Sequence, residues 1–142
     1  MMRAALLLAA ALSGGPVAAG PPPDAPQVDA PDRAAARDAY RLGLMHRNGE
    51  RVPKDAARAA SLIGIAAQGQ LPAAMFTLSN MLAAGEGVAR DELAARRWLE
   101  DAAALGYPAA LQQLALTEPD PRKAELLMRQ AGHALQHRGQ EP

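Results

Sequence analysis

From Arg33 onward, apolar positions recur at helical spacing and then recur again as a block. Leu42, Met45 and Gly49 fall on one side of a helix, as do Leu78, Leu82 and Gly85. A glycine closes each run, where a left-handed backbone costs it little. Val52 and Val88 follow in the turn, where an apolar side chain can plug the end of a helix pair. Asp55 and Asp91 come next, placed to cap a second helix and to complement its dipole. Ala59, Leu62 and Ala66, and again Ala95, Trp98 and Ala102, make the apolar stripe of that helix. Gly69 and Gly106 end it, and Pro72 and Pro108 open the next helix at the first position, which favours proline.

The block repeats at a spacing of 36. Gly49 recurs as Gly85, Glu50 as Glu86, Lys54 as Arg90, Ile63 as Leu99, Ala66-Ala67 as Ala102-Ala103, and Pro72-Ala73-Ala74 as Pro108-Ala109-Ala110. Alanine matches alone could arise by chance in a chain with 35 alanines; the Gly-Glu-x-Val-x-basic-Asp run could not. A fixed period in the 30s signals a solenoid. A third copy is incomplete. Ala110 and Leu114 fit the first helix, but the glycine turn is missing and seven loop residues are lost before Asp120. Asp120, Ala124, Leu127, Met128 and Ala131 then stand in the relation of Asp91, Ala95, Trp98, Leu99 and Ala102. The first copy reads as one residue short near Gly69. The pattern predicts an all-α fold, a short α-solenoid of antiparallel helix pairs with two full repeats and one truncated repeat. The truncation points to the last helix as the cap of the array.

Upstream of Arg33 the pattern changes. Met1-Met2-Arg3 is a short basic start, Ala4 to Leu12 is unbroken apolar, and Val17-Ala18-Ala19 offers small residues at −3 and −1. This order predicts a secretory signal peptide over 1–19, removed in the mature protein, with an N-terminal membrane anchor as the alternative. Nine apolar residues are too few to span a bilayer, which takes about 20. No cysteine follows to carry a lipid. Residues 20–32 hold five prolines, so a flexible Pro-rich linker is expected there, leading into a repeat domain at 33–137 and a disordered tail at 138–142. A periplasmic or secreted bacterial protein is the localisation these features predict.

Composition narrows the chemistry. Alanine-rich cores need helices that approach closely, and alanine is the best helix former. Charges balance at 15 basic against 15 acidic, which disfavours a general nucleic-acid or membrane-surface binder. There is no cysteine, so disulfides, thiol catalysis and thiolate metal sites are excluded.

Together these residues resemble the Sel1-like repeat family, relatives of the tetratricopeptide repeats. The first copy reads LGLMHRNGERVPKD and the second LSNMLAAGEGVARD, continuing as ELAARRWLEDAAALG. Gly43, Gly49, Asp55, Gly85, Gly87, Val88, Asp91, Ala95, Trp98 and Gly106 occupy family positions across residues 36–134. The departures are specific. His46 and Leu82 stand where the family usually has Tyr, Arg51 replaces the second turn glycine of copy one, and Ser79 replaces the first-helix glycine of copy two. The resemblance implies a scaffold or adaptor, with envelope assembly or signalling as the setting of periplasmic members.

Candidate chemistry is sparse. After the leader, only Ser61, Ser79, Thr77 and Thr117 carry aliphatic hydroxyls, and none lies in a nucleophile motif. His133 and His137 are four apart and could offer two metal ligands, but no third ligand is evident, and a solvated pair near a helix C-terminus is the simpler reading. His46 at the Tyr position reads as packing, with a pH-sensing or ligand role as the alternative. No cofactor or metal site is expected, and no enzymatic activity.

In helix-pair solenoids the first helices line the inner face. Arg37 and Arg41 form a stripe at one end of that face, and Thr77, Asn80, Gln112 and Gln113 continue it as neutral polar positions. Residues 33–58 hold seven basic and three acidic side chains, which is either a solubilising end or a site for an acidic protein or peptide. The reading is an exported adaptor that binds a protein or peptide on its concave face. A hydrolase of cell-wall material and a structural component of an envelope complex are the alternatives.

Overall fold

The computed structural model describes residues 32–138. The leader, the linker up to residue 31 and the tail from residue 139 lie outside them. The described chain runs through α1 (Arg33–Asn48), α2 (Ala56–Gln68), α3 (Pro72–Ala84), α4 (Glu92–Ala104), α5 (Pro108–Thr117) and α6 (Pro121–Arg138). Arg138, assigned to the tail from sequence, is the last residue of α6.

Each element begins and ends for a local reason. Asp55 and Asp91 accept hydrogen bonds from the backbone N–H groups of Arg58 and Ala94, both at 2.9 Å, so a carboxylate satisfies one of the free donors at each helix start. Asp120 does the same for Arg122 at 3.0 Å, and Asp32 for Ala34 at 3.0 Å. Prolines open α3, α5 and α6, where a missing N–H costs nothing. Gly49 (φ 72°) and Gly85 (φ 69°) end α1 and α3 in the left-handed region, each returning its N–H to the helix.

The spacing of 36 holds bond for bond in the backbone. Asp55 N–H donates to His46 C=O as Asp91 does to Leu82, and Leu71 N–H to Ala66 C=O as Tyr107 does to Ala102. The first copy is therefore not one residue short. Gln70 (φ 62°) takes the left-handed position of Gly106 (φ 74°), and Gly69 stands where Leu105 does. Gly69 has its own reason to be glycine, since a Cβ there would lie 2.9 Å from that of Ala36.

Packing follows from small side chains. Ala59, Ala66, Ala67, Ala74, Ala102 and Ala110 are fully enclosed, with Ile63, Met75 and Met81 as the largest enclosed side chains. Close approach is visible at Gly43, where a Cβ would lie 2.7 Å from Ile63 Cγ1 and 3.3 Å from Ala59 C=O. Ser79, the next copy's counterpart, is buried and donates to the Ala95 carbonyl at 2.7 Å. Ala115 fills the place in α5 and is also buried. The start of α1 meets the end of α2 at Ala36–Gly69, so the pair is antiparallel. The end of α6 meets the start of α5, where the Arg138 guanidinium lies 5.2 Å from the Tyr107 ring centre, and Tyr107 packs against Phe76 at 5.5 Å.

Candidate functional site

The first helices α1, α3 and α5 lie side by side, joined by polar side chains. The Tyr40 hydroxyl donates to Thr77 Oγ1 at 3.1 Å, and Thr77 in turn donates to the Ala73 carbonyl at 2.9 Å. Gln113 Nε2 donates to Asn80 Oδ1 at 3.3 Å, linking α5 to α3. Of the six residues proposed from sequence, Thr77 is thus closed in and spends its hydroxyl within the fold. Asn80 and Gln113 are half-buried and bonded to each other, while Gln112 is exposed. Arg37 and Arg41 are exposed at the α1 end, with Arg41 3.5 Å from Asp38.

Sequence reading missed the strongest polar contact. Arg47 at the end of α1 donates through Nε and an Nη to both carboxylate oxygens of Glu86 at 2.8 Å, tying α1 to the turn after α3. The two residues are 39 apart, off the 36-residue register, so no repeat pairing announces them. The paired fork is specific to arginine. The Arg47 hydrogen bonds hold the Glu86 carboxyl below its ordinary range, and Glu86 raises the Arg47 guanidinium. A carboxyl lowered by folding stabilises the fold above the unfolded carboxyl's ordinary value, and that contribution fades as pH falls through the lowered one. Glu86→Gln is therefore expected to cost about 0.5–1 kcal/mol at neutral pH, and the gap to the parent protein should close in acid. Urea melts at pH 7 and near pH 3 measure it; a gap that widens in acid contradicts the assignment.

The histidines separate. His46 is half-buried, its Nδ1 3.4 Å from the Pro53 carbonyl in the following turn. His133 and His137 are exposed with their Nε2 atoms 3.0 Å apart. No group of three or more His, Cys, Asp or Glu gathers among the described residues. Ser79 is enclosed against the Ala95 carbonyl, which explains its replacing a glycine by packing. Among the described residues no buried side-chain nitrogen or oxygen lacks a hydrogen-bond partner, and no helix is long and apolar enough to cross a membrane.

Three segments of the chain, residues 36–70, 72–107 and 110–134, match the Sel1 repeat. The chain belongs to the Sel1 repeat family. These segments are the three helix pairs, so the truncated third unit counts as a Sel1 repeat although its turn is lost. Among solved structures, the chain is similar to a Sel1 repeat protein from Oxalobacter formigenes, at 26% identity and a TM-score of 0.67, over 70% of this chain and 43% of that one. It is also similar to c5321, a protective antigen present in uropathogenic Escherichia coli strains and displaying an SLR fold, at 29% identity and a TM-score of 0.65, over 71% of this chain and 23% of that one. The Sel1 repeats here thus span less than half the length of either protein. No curated protein matches the chain. Sel1 repeats generally mediate protein–protein interaction, and the family is typically a non-enzymatic scaffold.

Proposed function

We propose that this Sel1 repeat protein is an exported bacterial adaptor, periplasmic or secreted, that holds a protein or peptide against the face of its first helices. The observation that carries the reading is the polar tie across that face. Tyr40–Thr77 and Asn80–Gln113 fix α1, α3 and α5 against one another, so the exposed groups beside them keep a set geometry. Pre-set groups bind with less loss of freedom than mobile ones. Arg37 and Arg41 lie at one end of this face and select for acid in the partner, while Gln112 offers an amide at the other. The mechanism is complementarity of shape and charge, without covalent chemistry. Export rests on the order of residues 1–19, and envelope assembly or signalling is the setting that the family suggests.

The charge claim has a direct test. Arg37→Glu together with Arg41→Glu should weaken binding of a captured partner about tenfold or more and flatten its salt dependence. Both side chains are exposed, so thermal stability should stay unchanged. Full binding by the double variant, measured by calorimetry at two salt concentrations, would remove the arginine end from the site.

A further inference from the structure

Two imidazoles of α6 are brought together by the helix itself. His133 and His137 are four residues apart, so they leave the same side of α6 one turn from each other. Both are exposed, and their Nε2 atoms lie 3.0 Å apart. The ring centres are 4.3 Å apart and the ring planes tilt by 56°. Two rings joined end to end through their nitrogens would hold their centres farther apart than that. The two nitrogens therefore sit side by side at the edge of the pair. His137 lies beyond the last segment that matches the Sel1 repeat, residues 110–134, so the repeat pattern does not account for the pair.

The spacing has a chemical meaning. An imidazole nitrogen sits about 2.0–2.1 Å from a bound zinc ion and at a similar distance from its neighbours in the first transition row. Two such bonds to nitrogens 3.0 Å apart meet at the metal at roughly a right angle. That is the angle between adjacent positions of a tetragonal ion, the geometry of copper(II) and nickel(II). A tetrahedral zinc(II) opens the angle to about 109° and needs the nitrogens drawn apart. Copper(II) also stands highest in the affinity order of the divalent first-row metals. No third His, Cys, Asp or Glu gathers with the pair among the described residues, so water completes the coordination. The surroundings admit a cation. His137 lies in the last turn of α6, where the helix dipole is negative. The cations that flank the pair along the helix are turned to other groups: Arg129 lies 3.8 Å from Glu125, and the Arg138 guanidinium lies over the Tyr107 ring.

We propose that His133 and His137 form a two-imidazole site for a divalent transition-metal ion, copper(II) in preference to zinc(II), held through the two Nε2 atoms in adjacent coordination positions with water in the others. The helix sets the spacing before the metal arrives, so binding loses little side-chain freedom. In the unfolded chain nothing fixes that spacing, so the site is a property of folded α6.

Calorimetric titration with copper(II) chloride in a non-coordinating buffer tests it, with electron paramagnetic resonance to count the bound nitrogens. The parent protein should bind copper(II) with two nitrogen ligands. His137→Ala should weaken binding about tenfold or more, beyond what the loss of an outer-shell partner costs a metal site, and leave a single nitrogen. His46→Ala should change nothing. Combining His137→Ala with Leu135→His restores the number of histidines on α6 but sets them two apart, on different sides of the helix, and tight binding should not return. His133, Leu135 and His137 are all exposed, so circular dichroism should show equal helix content throughout. Zinc(II) should bind the parent about tenfold or more weakly than copper(II). The proposal is overturned if the parent fails to bind copper(II) or binds it through one nitrogen. It is equally overturned if His137→Ala binds as tightly as the parent, if the Leu135→His combination regains parental affinity, or if zinc(II) binds as tightly as copper(II).

Discussion

Replacing Gly87 by alanine should cost at least about 3 kcal/mol of stability, the combined scale of a strained backbone and an overpacked contact. Gly87 has φ 71°, and a Cβ built on it would lie 2.1 Å from the carbonyl oxygen of Ala56. That oxygen belongs to the first turn of α2, so the turn of the second repeat sits directly on the second helix of the first. Backbone meets backbone, and no side chain can rotate away. Gly85 is the control. It is equally left-handed, at φ 69°, but a Cβ there would come no nearer to any neighbour than 3.4 Å, at Arg90 Cβ. Gly85→Ala should therefore lose only about 1 kcal/mol, the left-handed penalty alone. Urea denaturation of both variants decides it, and equal losses would mean that the repeats do not touch at this turn. The same contact accounts for Arg51. It occupies the corresponding position of the first repeat at φ 61°, is exposed, and has no described helix pair before it to meet.

The second large effect is expected at Ile63. Ile63→Ala should destabilise by about 2–5 kcal/mol, the range for emptying an enclosed aliphatic site. Ile63 is among the largest enclosed side chains, and its Cγ1 fills the space that Gly43 leaves open on α1. Collapse cannot refill that space without moving α1 towards α2. Met128→Ala, at the corresponding place in α6, should cost less than about 1 kcal/mol, because the side chain is largely exposed already. Thermal or urea melts of the two variants make the comparison. Similar losses would show that the α6 position is as enclosed as its α2 counterpart.

The repeat itself was legible because its markers are backbone requirements. Gly49 and Gly85 both end a helix in the left-handed region, Asp55 and Asp91 both cap one, and Pro72 and Pro108 both open one. Such needs restrict the residue type at a fixed place, so they show in sequence. What escaped was whatever the backbone tolerates. Gln70 adopts the left-handed angle that Gly106 fills, and its identity hid the matching register, so the first copy looked short. The proposed binding face was legible in part. Polar positions on the first helices were found, but Thr77 bonds inward to the Ala73 carbonyl and to Tyr40, which a helical period cannot reveal. Arg47–Glu86 also escaped, because a long side chain reaches across the register to the next turn.

In the proposed function, the face of α1, α3 and α5 holds the partner. A photoreactive amino acid placed in turn at Arg37, Gln112 and Ser61 tests it in the intact cell envelope. Arg37 and Gln112 are exposed positions of α1 and α5, and Ser61 is an exposed position of α2. One protein or peptide should cross-link to positions 37 and 112 and not to 61. Cross-linking that is equal at 61, or confined to it, would mean that the first-helix face does not hold the partner.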